Sequence, residues 1–430
     1  MRPRFIVVVL ALVLVAAACG DDDSTATTSL DESTPSTATA VGQSGFESEL
    51  EQLVIATEQV RGLSFIEDPI ITIVSHDELA ERVADQIEED LDPEELEVSQ
   101  ALFELLGLLD GSIDLGDAYT ALYSEQVGGY YDDETGELVI AAADELSPLS
   151  RTIVVHELIH SLTDQHFGFA AVMDDLIDAE RFHEASALQA LVEGDATFHQ
   201  ILFLQSLPEE QQVDAVTESL STDTAVLDSL PAWFGEDLTF PYDAGFAFVD
   251  RIASDRGTAG INQAYELLPT TTEQILHPEA YFSLEPGLPV ELPVVTPDGY
   301  EVFEAGSFGE WNIRLLLLDG VQPGEAVVGA DGWAGDSYTI LWAEGEVAFV
   351  LAVQSETPRD AQELAEGLAS SVAATMAVGS RRPSETGTTF GAGADFAEIR
   401  FDGTDVWFVA ASDPTVGRQL ADAVVPTDDG

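Results

Sequence analysis

Four residues carry the chemistry this sequence could do. Three stand in Ile153-Val154-Val155-His156-Glu157-Leu158-Ile159-His160, an H-E-x-x-H motif inside an apolar run. On an α-helix, residues four apart lie on one face a turn above each other, so both imidazoles can reach a single ion from one side. The pair makes half of a zinc site. Glu157 points to a neighbouring part of the helix surface, out of line for ligation but within reach of a water held by the ion, which is the place of a general base. With seven histidines among 430 residues, a chance match is expected about 0.01 times, so the spacing is read as a metal site.

The fourth residue is Glu193. It lies in Ala190-Leu191-Val192-Glu193-Gly194-Asp195-Ala196-Thr197, within a stretch from Phe182 to Leu207 that patterns as one long helix stopped by Pro208. Glycine inside a helix costs about 1 kcal/mol relative to alanine, so Gly194 predicts a close approach to a neighbouring helix. The metal helix is the expected neighbour, which would bring Glu193 to the ion. Zinc held by two histidines needs a third ligand and an open position for water.

The elements that position these groups are readable locally. Ser147 is a good N-cap and Pro148 suits the first helical position, which predicts a helix from there to Gly168. Val155, Leu158, Ile159 and Leu162 leave it almost no polar face, as in a buried helix. Ionisable groups inside such a helix are costly unless something pairs with them. Upstream, Val127 to Ala143 reads as a β-hairpin around a Gly136 turn. A strand edge beside the metal could hold an extended peptide through main-chain hydrogen bonds.

H-E-L-I-H followed by the glutamate of L-V-E-G-D-A-T resembles the gluzincin class of zinc metallopeptidases, whose third ligand is a glutamate on a second helix. Within that class the chain resembles a group of bacterial lipoprotein-type neutral zinc metallopeptidases. The further shared stretches are Glu125-Gln126-Val127-Gly128-Gly129-Tyr130-Tyr131, Asp164-Gln165-His166-Phe167 and Pro269-Thr270-Thr271-Thr272-Glu273-Gln274-Ile275-Leu276-His277-Pro278. The resemblance spans roughly Phe46 to Phe282. It implies a zincin-like fold with His156, His160 and Glu193 as zinc ligands and Glu157 as base. Thermolysin-like enzymes carry an aspartate four residues after the ligand glutamate to orient a histidine; this chain has Thr197 there, leaving Asp195 and Asp164 as candidates for that task. Tyr242, His277 and Tyr281 are candidates for stabilising an oxyanion.

Composition bounds the partners. Eighty-one acidic residues face 14 basic ones, all arginine, for a net charge of −67. Such a surface repels nucleic acid and anionic headgroups. Cys19 is the single cysteine, which excludes an internal disulfide and a cysteine-based zinc site. Arg2 and Arg4, the apolar Phe5 to Val15 and Ala16-Ala17-Ala18 precede it in the order of a secretory leader. The arrangement looks like a bacterial lipoprotein signal that ends in lipidation of Cys19.

The expected organisation is therefore a signal peptide over 1–18 and a disordered tether over 19–45. A zincin-like α+β metallopeptidase domain, largely helical with a small sheet, follows over 46–286. Helices are expected at Glu49 to Arg61, Asp77 to Leu91 and Pro93 to Leu109, with a strand at Ile70 to Val74. Further on, a helix after Tyr242 and another opened by a Thr270-x-x-Glu273 capping box are expected. A smaller C-terminal α+β domain over 287–430 carries a strand-strand-helix unit used twice: strands Ser337 to Trp342 and Val347 to Gln354 with a helix Arg359 to Met376, then strands Phe396 to Arg400 and Val406 to Ala411 with a helix from Val416. The sequence thus reads as an extracytoplasmic, membrane-anchored zinc metallopeptidase acting on peptide or protein. The alternatives are a non-proteolytic binding or assembly lipoprotein with a structural metal site and a zinc hydrolase of a non-peptide bond.

Overall fold

The computed structural model describes residues 9–12, 41–132, 135–142, 145–222, 224–293 and 295–424. Cys19 and the tether up to residue 40 lie outside the described residues, as does most of the leader. The N-terminal part runs β1 (Val9–Leu12), α1 (Val41–Arg61), β2 (Ile70–Val74), α2 (His76–Asp90), α3 (Pro93–Leu106), α4 (Leu115–Gln126), β3 (Val127–Asp132) and β4 (Glu137–Ala141). The helices α5 (Pro148–Phe167), α6 (Phe169–Asp178), α7 (Phe182–Ser206), α8 (Glu209–Ser219), α9 (Ala225–Ser229), α10 (Ala232–Glu266), α11 (Thr272–Leu276) and α12 (Pro278–Ser283) follow. The C-terminal part is β5 (Glu301–Gly306), α13 (Gly309–Leu318), α14 (Pro323–Ala330), β6 (Trp333–Ala343), β7 (Glu346–Ser355), α15 (Pro358–Thr375), β8 (Arg381–Ser384), β9 (Gly387–Phe390), β10 (Phe396–Asp402), β11 (Asp405–Ala411) and α16 (Pro414–Val424). The class is α+β. No helix among the described residues is long and apolar enough to cross a membrane.

The first sheet has strand order β1-β3-β4-β2. Its centre is β4, whose Leu138, Val139 and Ile140 are wholly buried. The β3–β4 turn follows from Asp132 and Gly136: Gly136 takes the left-handed conformation at φ 71°, and its N–H donates to Asp132 O at 2.8 Å. β1 lies antiparallel on the outer edge of β3, with Leu10 opposite Tyr130. Val154, Val155, Leu158 and Ile159 of α5 share one buried cluster with Tyr131, Leu138 and Ile140. Each such side chain contributes about 1.5–3 kcal/mol on burial, which fixes α5 across the sheet.

α5 starts and stops where local chemistry places it. Ser147 accepts a hydrogen bond from Ser150 N at 3.0 Å, Pro148 occupies the first turn, and Gly168 closes the helix at φ 63°. Several expectations are corrected. The close approach at Gly194 is to α10, not α5: a Cβ on Gly194 would stand 2.2 Å from Gly245 O, and one on Gly245 2.1 Å from Ala190 O. Two facing glycines let the α7 and α10 backbones touch, while α5 meets another side of α7. The cap of α11 is Thr271, which accepts from Gln274 N at 3.1 Å; Thr270 instead donates its N–H to Gln274 Oε1. α10 begins at Ala232 with Pro241 inside it, because the aromatic face of Trp233, Phe234 and Phe240 is buried and holds the helix despite one missing donor. α1 starts at Val41, since extending a nucleated helix backwards costs little.

The second sheet has seven strands in the order β5-β6-β7-β11-β10-β9-β8, and its strand pairs are antiparallel. α15 covers one face and α16 the other: Leu368 and Val372 pack with Ile399 and Phe408, whereas Leu420 and Val424 pack with Leu341 and Val409. The largest core among the described residues joins Leu105 and Trp233, before residue 287, to Trp311, Leu364 and Phe349, after it.

Candidate metal centre

α5 and α7 bring His156, His160 and Glu193 to one buried point. His156 Nε2 lies 3.1 Å and His160 Nε2 3.5 Å from the same Glu193 oxygen, Oε2. Ligands about 2.0–2.2 Å from a tetrahedral ion stand about 3.3–3.5 Å apart, so these spacings suit one ion at their centre. All three residues are buried. The two imidazoles meet edge to face with centroids 4.6 Å apart.

The donor set fits a metal on a second count. Both ring nitrogens of His160 and the other Glu193 oxygen, Oε1, are buried with no hydrogen-bond partner. Buried polar atoms are normally satisfied, and an orphan asks for an explanation such as an ion. Burial pushes the His160 imidazole below its ordinary pKa and so favours the neutral ring. Burial would raise Glu193, but His160 and His156 outweigh it and hold the carboxyl below its ordinary value. A neutral imidazole and an ionised carboxylate are the forms a metal requires.

Glu157 is wholly buried and turned towards β3. A Cβ on Gly129 would stand 3.5 Å from Glu157 Cγ and 2.8 Å from Ile140 Cδ1, so glycine is what lets the strand lie this close. Tyr242 of α10 is buried and its ring stacks 6.2 Å from His156. The other two oxyanion candidates are engaged elsewhere. Tyr281 donates to Leu267 O at 2.8 Å, and His277 pairs with Glu310.

The residue that orients His156 escaped the sequence reading. His156 Nδ1 lies 3.2 Å from Gln200 Oε1, and since an amide oxygen only accepts, the ring proton is on Nδ1 and Nε2 is left for an ion. Gln200 in turn donates to Thr152 Oγ1 at 3.3 Å, and Thr152 donates to Leu149 O. The available signal was positional: Gln200 lies two turns after Glu193 and Thr152 one turn before His156, on the same helix faces.

Asp195 and Asp164 have other partners. Asp195 Oδ2 accepts from Arg61 Nε at 3.0 Å and Tyr265 OH at 3.0 Å, while His199 Nδ1 lies 2.8 Å from Oδ1. Burial would raise this carboxyl, but Arg61 and His199 overcome it and lower it to about 2. Arg61 also donates to Asn262 Oδ1 at 2.7 Å, so the node ties α1, α7 and α10 together behind Glu193. Asp164 accepts from Tyr131 OH at 3.1 Å and from Ala170 N at 3.0 Å, which fastens the end of α5 to β3 and starts α6.

The site belongs to an α+β protein with a buried His-His-Glu group on two packed helices. Residues 300–421 match the model of a domain of unknown function, DUF8575, a segment that contains none of these site residues. No curated protein and no solved structure matches the chain.

Proposed function

We propose that the chain is a zinc metallopeptidase of zincin-like fold, extracytoplasmic and held to a membrane through an acylated Cys19. The carrying observation is the convergence of His156, His160 and Glu193 at one buried point, with both His160 nitrogens and Glu193 Oε1 lacking hydrogen-bond partners and the carboxylate of Glu157 one residue away on the same helix. The lipoprotein-like order of residues 1–19 supports the location.

A zinc ion held by these three residues would act as a Lewis acid and lower the pKa of a water from 15.7 towards about 7. Glu157 takes the proton of the attacking water and delivers it to the leaving amine. Gln200 keeps His156 in the tautomer that presents Nε2. Tyr242, beside His156, is the candidate to steady the developing oxyanion. The outer edge of β3 accepts an extended segment, as its pairing with Val9–Leu12 illustrates. A peptide laid along that edge after leader removal would pass Gly129 and Glu157.

Digestion of a quenched fluorogenic peptide library tests the reading. Cleavage is expected from the purified protein, lost with a chelator and restored by zinc. A zinc-loaded protein that cleaves no peptide would overturn it and leave a metal-holding binding lipoprotein.

Gln200→Leu keeps the volume but removes the acceptor of His156. Losing such an outer partner typically costs about 10- to 100-fold in metal affinity. Competition with a chromophoric chelator is expected to show that loss, with the melting temperature lowered because His156 Nδ1–H is left unpaired in the core, and wild-type affinity would remove Gln200 from the role.

A further inference from the structure

We propose that His277, Glu310 and Asp331 form a second divalent-cation site, separate from the His156 group, that joins the helical part of the chain to the C-terminal part. The three come from different elements. His277 is the hinge residue between α11 and α12, Glu310 lies in the first turn of α13, and Asp331 caps the C-terminus of α14. His277 Nε2 stands 3.0 Å from Glu310 Oε1 and 3.7 Å from Asp331 Oδ1. One ligand atom from each residue lies within 4.8 Å of the other two. Those separations bracket the roughly 3.3–3.5 Å expected between ligands of one tetrahedral ion.

The backbone presents the histidine in a fixed way. His277 N donates to Glu273 O at 2.7 Å, and its carbonyl accepts from Ala280 N at 2.8 Å. Both bonds hold the turn and so fix where the His277 side chain leaves the backbone.

An independent observation points to a missing cation. The Glu310 side chain is only 6% exposed, and its second oxygen, Oε2, is buried with no hydrogen-bond partner. A buried carboxylate with one oxygen left unpartnered is costly unless a cation or further hydrogen bonds compensate it.

The donor chemistry selects the ion class. Calcium and magnesium take oxygen ligands almost exclusively, whereas an imidazole with carboxylates suits zinc, cobalt or manganese. Two ligands remain accessible, His277 at 46% and Asp331 at 65% side-chain exposure, so the ion can enter from solvent and keep a water in its fourth position. Since Glu310 and Asp331 lie inside the 300–421 segment and His277 precedes it, a bound ion would clamp the junction between the two parts.

Metal counting on the full-length protein tests this. After stripping and dialysis against buffered zinc, the wild type is expected to hold two equivalents, with one each in His277→Ala and His160→Ala and none in the double variant. Cobalt alone should give visible absorption that each single variant reduces by part. Should His277→Ala fail to fold, Asp331→Asn changes an exposed group and gives the same reading. Loss of metal by His160→Ala with a count unaffected by His277→Ala or Asp331→Asn would overturn this site and leave the first intact. The reverse pattern would sink the first site alone.

Discussion

Glu157→Gln is expected to keep zinc at the His156 group and to melt like the wild type while peptide hydrolysis falls about 100- to 10,000-fold. The amide nearly matches the carboxylate in size, and it can still accept a hydrogen bond. It cannot take a proton. The substitution therefore separates the base from the ligands, and the close approach of Glu157 to Gly129 is left nearly unchanged. A purely structural Glu157 predicts the opposite pattern, a lowered melting temperature without a specific loss of turnover. The measurement needs a peptide substrate found by screening, with zinc content and melting recorded on the same samples. Wild-type turnover in zinc-loaded Glu157→Gln would remove the proposed mechanism.

His160→Ala is expected to lower the zinc content by one equivalent and to abolish cleavage. The His160 ring is wholly buried and has no hydrogen bond at either nitrogen; its polar neighbour in the core is Glu193, whose Oε2 lies 3.5 Å from Nε2. Removing it leaves His156 and Glu193, a two-ligand set too small to hold zinc against competition from buffer and water. The buried ring also fills space, so some destabilisation from the cavity is expected, on the order of a few kcal/mol. Zinc added to the apo wild type should raise its melting temperature by mass action. His160→Ala should lose that part of the rise while Glu157→Gln keeps it. A full equivalent of zinc retained at this group in His160→Ala would refute the ligand assignment.

What could be read from the sequence divides along the line between local and distant determinants. The ends of α5 were legible because Ser147, Pro148 and Gly168 act within a turn of themselves. His156 and His160 share one helix, so their convergence follows from helical geometry alone. Glu193 was found by indirect reasoning that named the wrong neighbour: Gly194 does mark a close contact, but with Gly245, and a glycine reveals that something approaches without revealing what. Gln200 and Thr152 were missed since their pairing depends on how α5 and α7 cross. Asp195 reads as a candidate to orient a ligand histidine because Thr197 stands where an aspartate is expected; its partners Arg61 and Tyr265 lie far away in the chain. Between residues 300 and 330, the apolar run Ile313 to Leu318 has too little polar contrast to declare a helix, and β8 escaped because Arg381-Arg382-Pro383-Ser384 has no strand-like alternation.

The Arg61 node also sets an order in time. Arg61 and Asp195 are 134 residues apart, and Tyr265 lies a further 70 residues on. In a chain made from its N-terminus, the guanidinium waits for its carboxylate through the synthesis of five helices and half of α7, and the carboxylate then waits for the phenol on α10. Contacts this distant form slowly because loop closure precedes their reward. The frame behind Glu193 therefore closes late, and a chain halted before residue 265 has both histidines and the glutamate but not the scaffold that sets them.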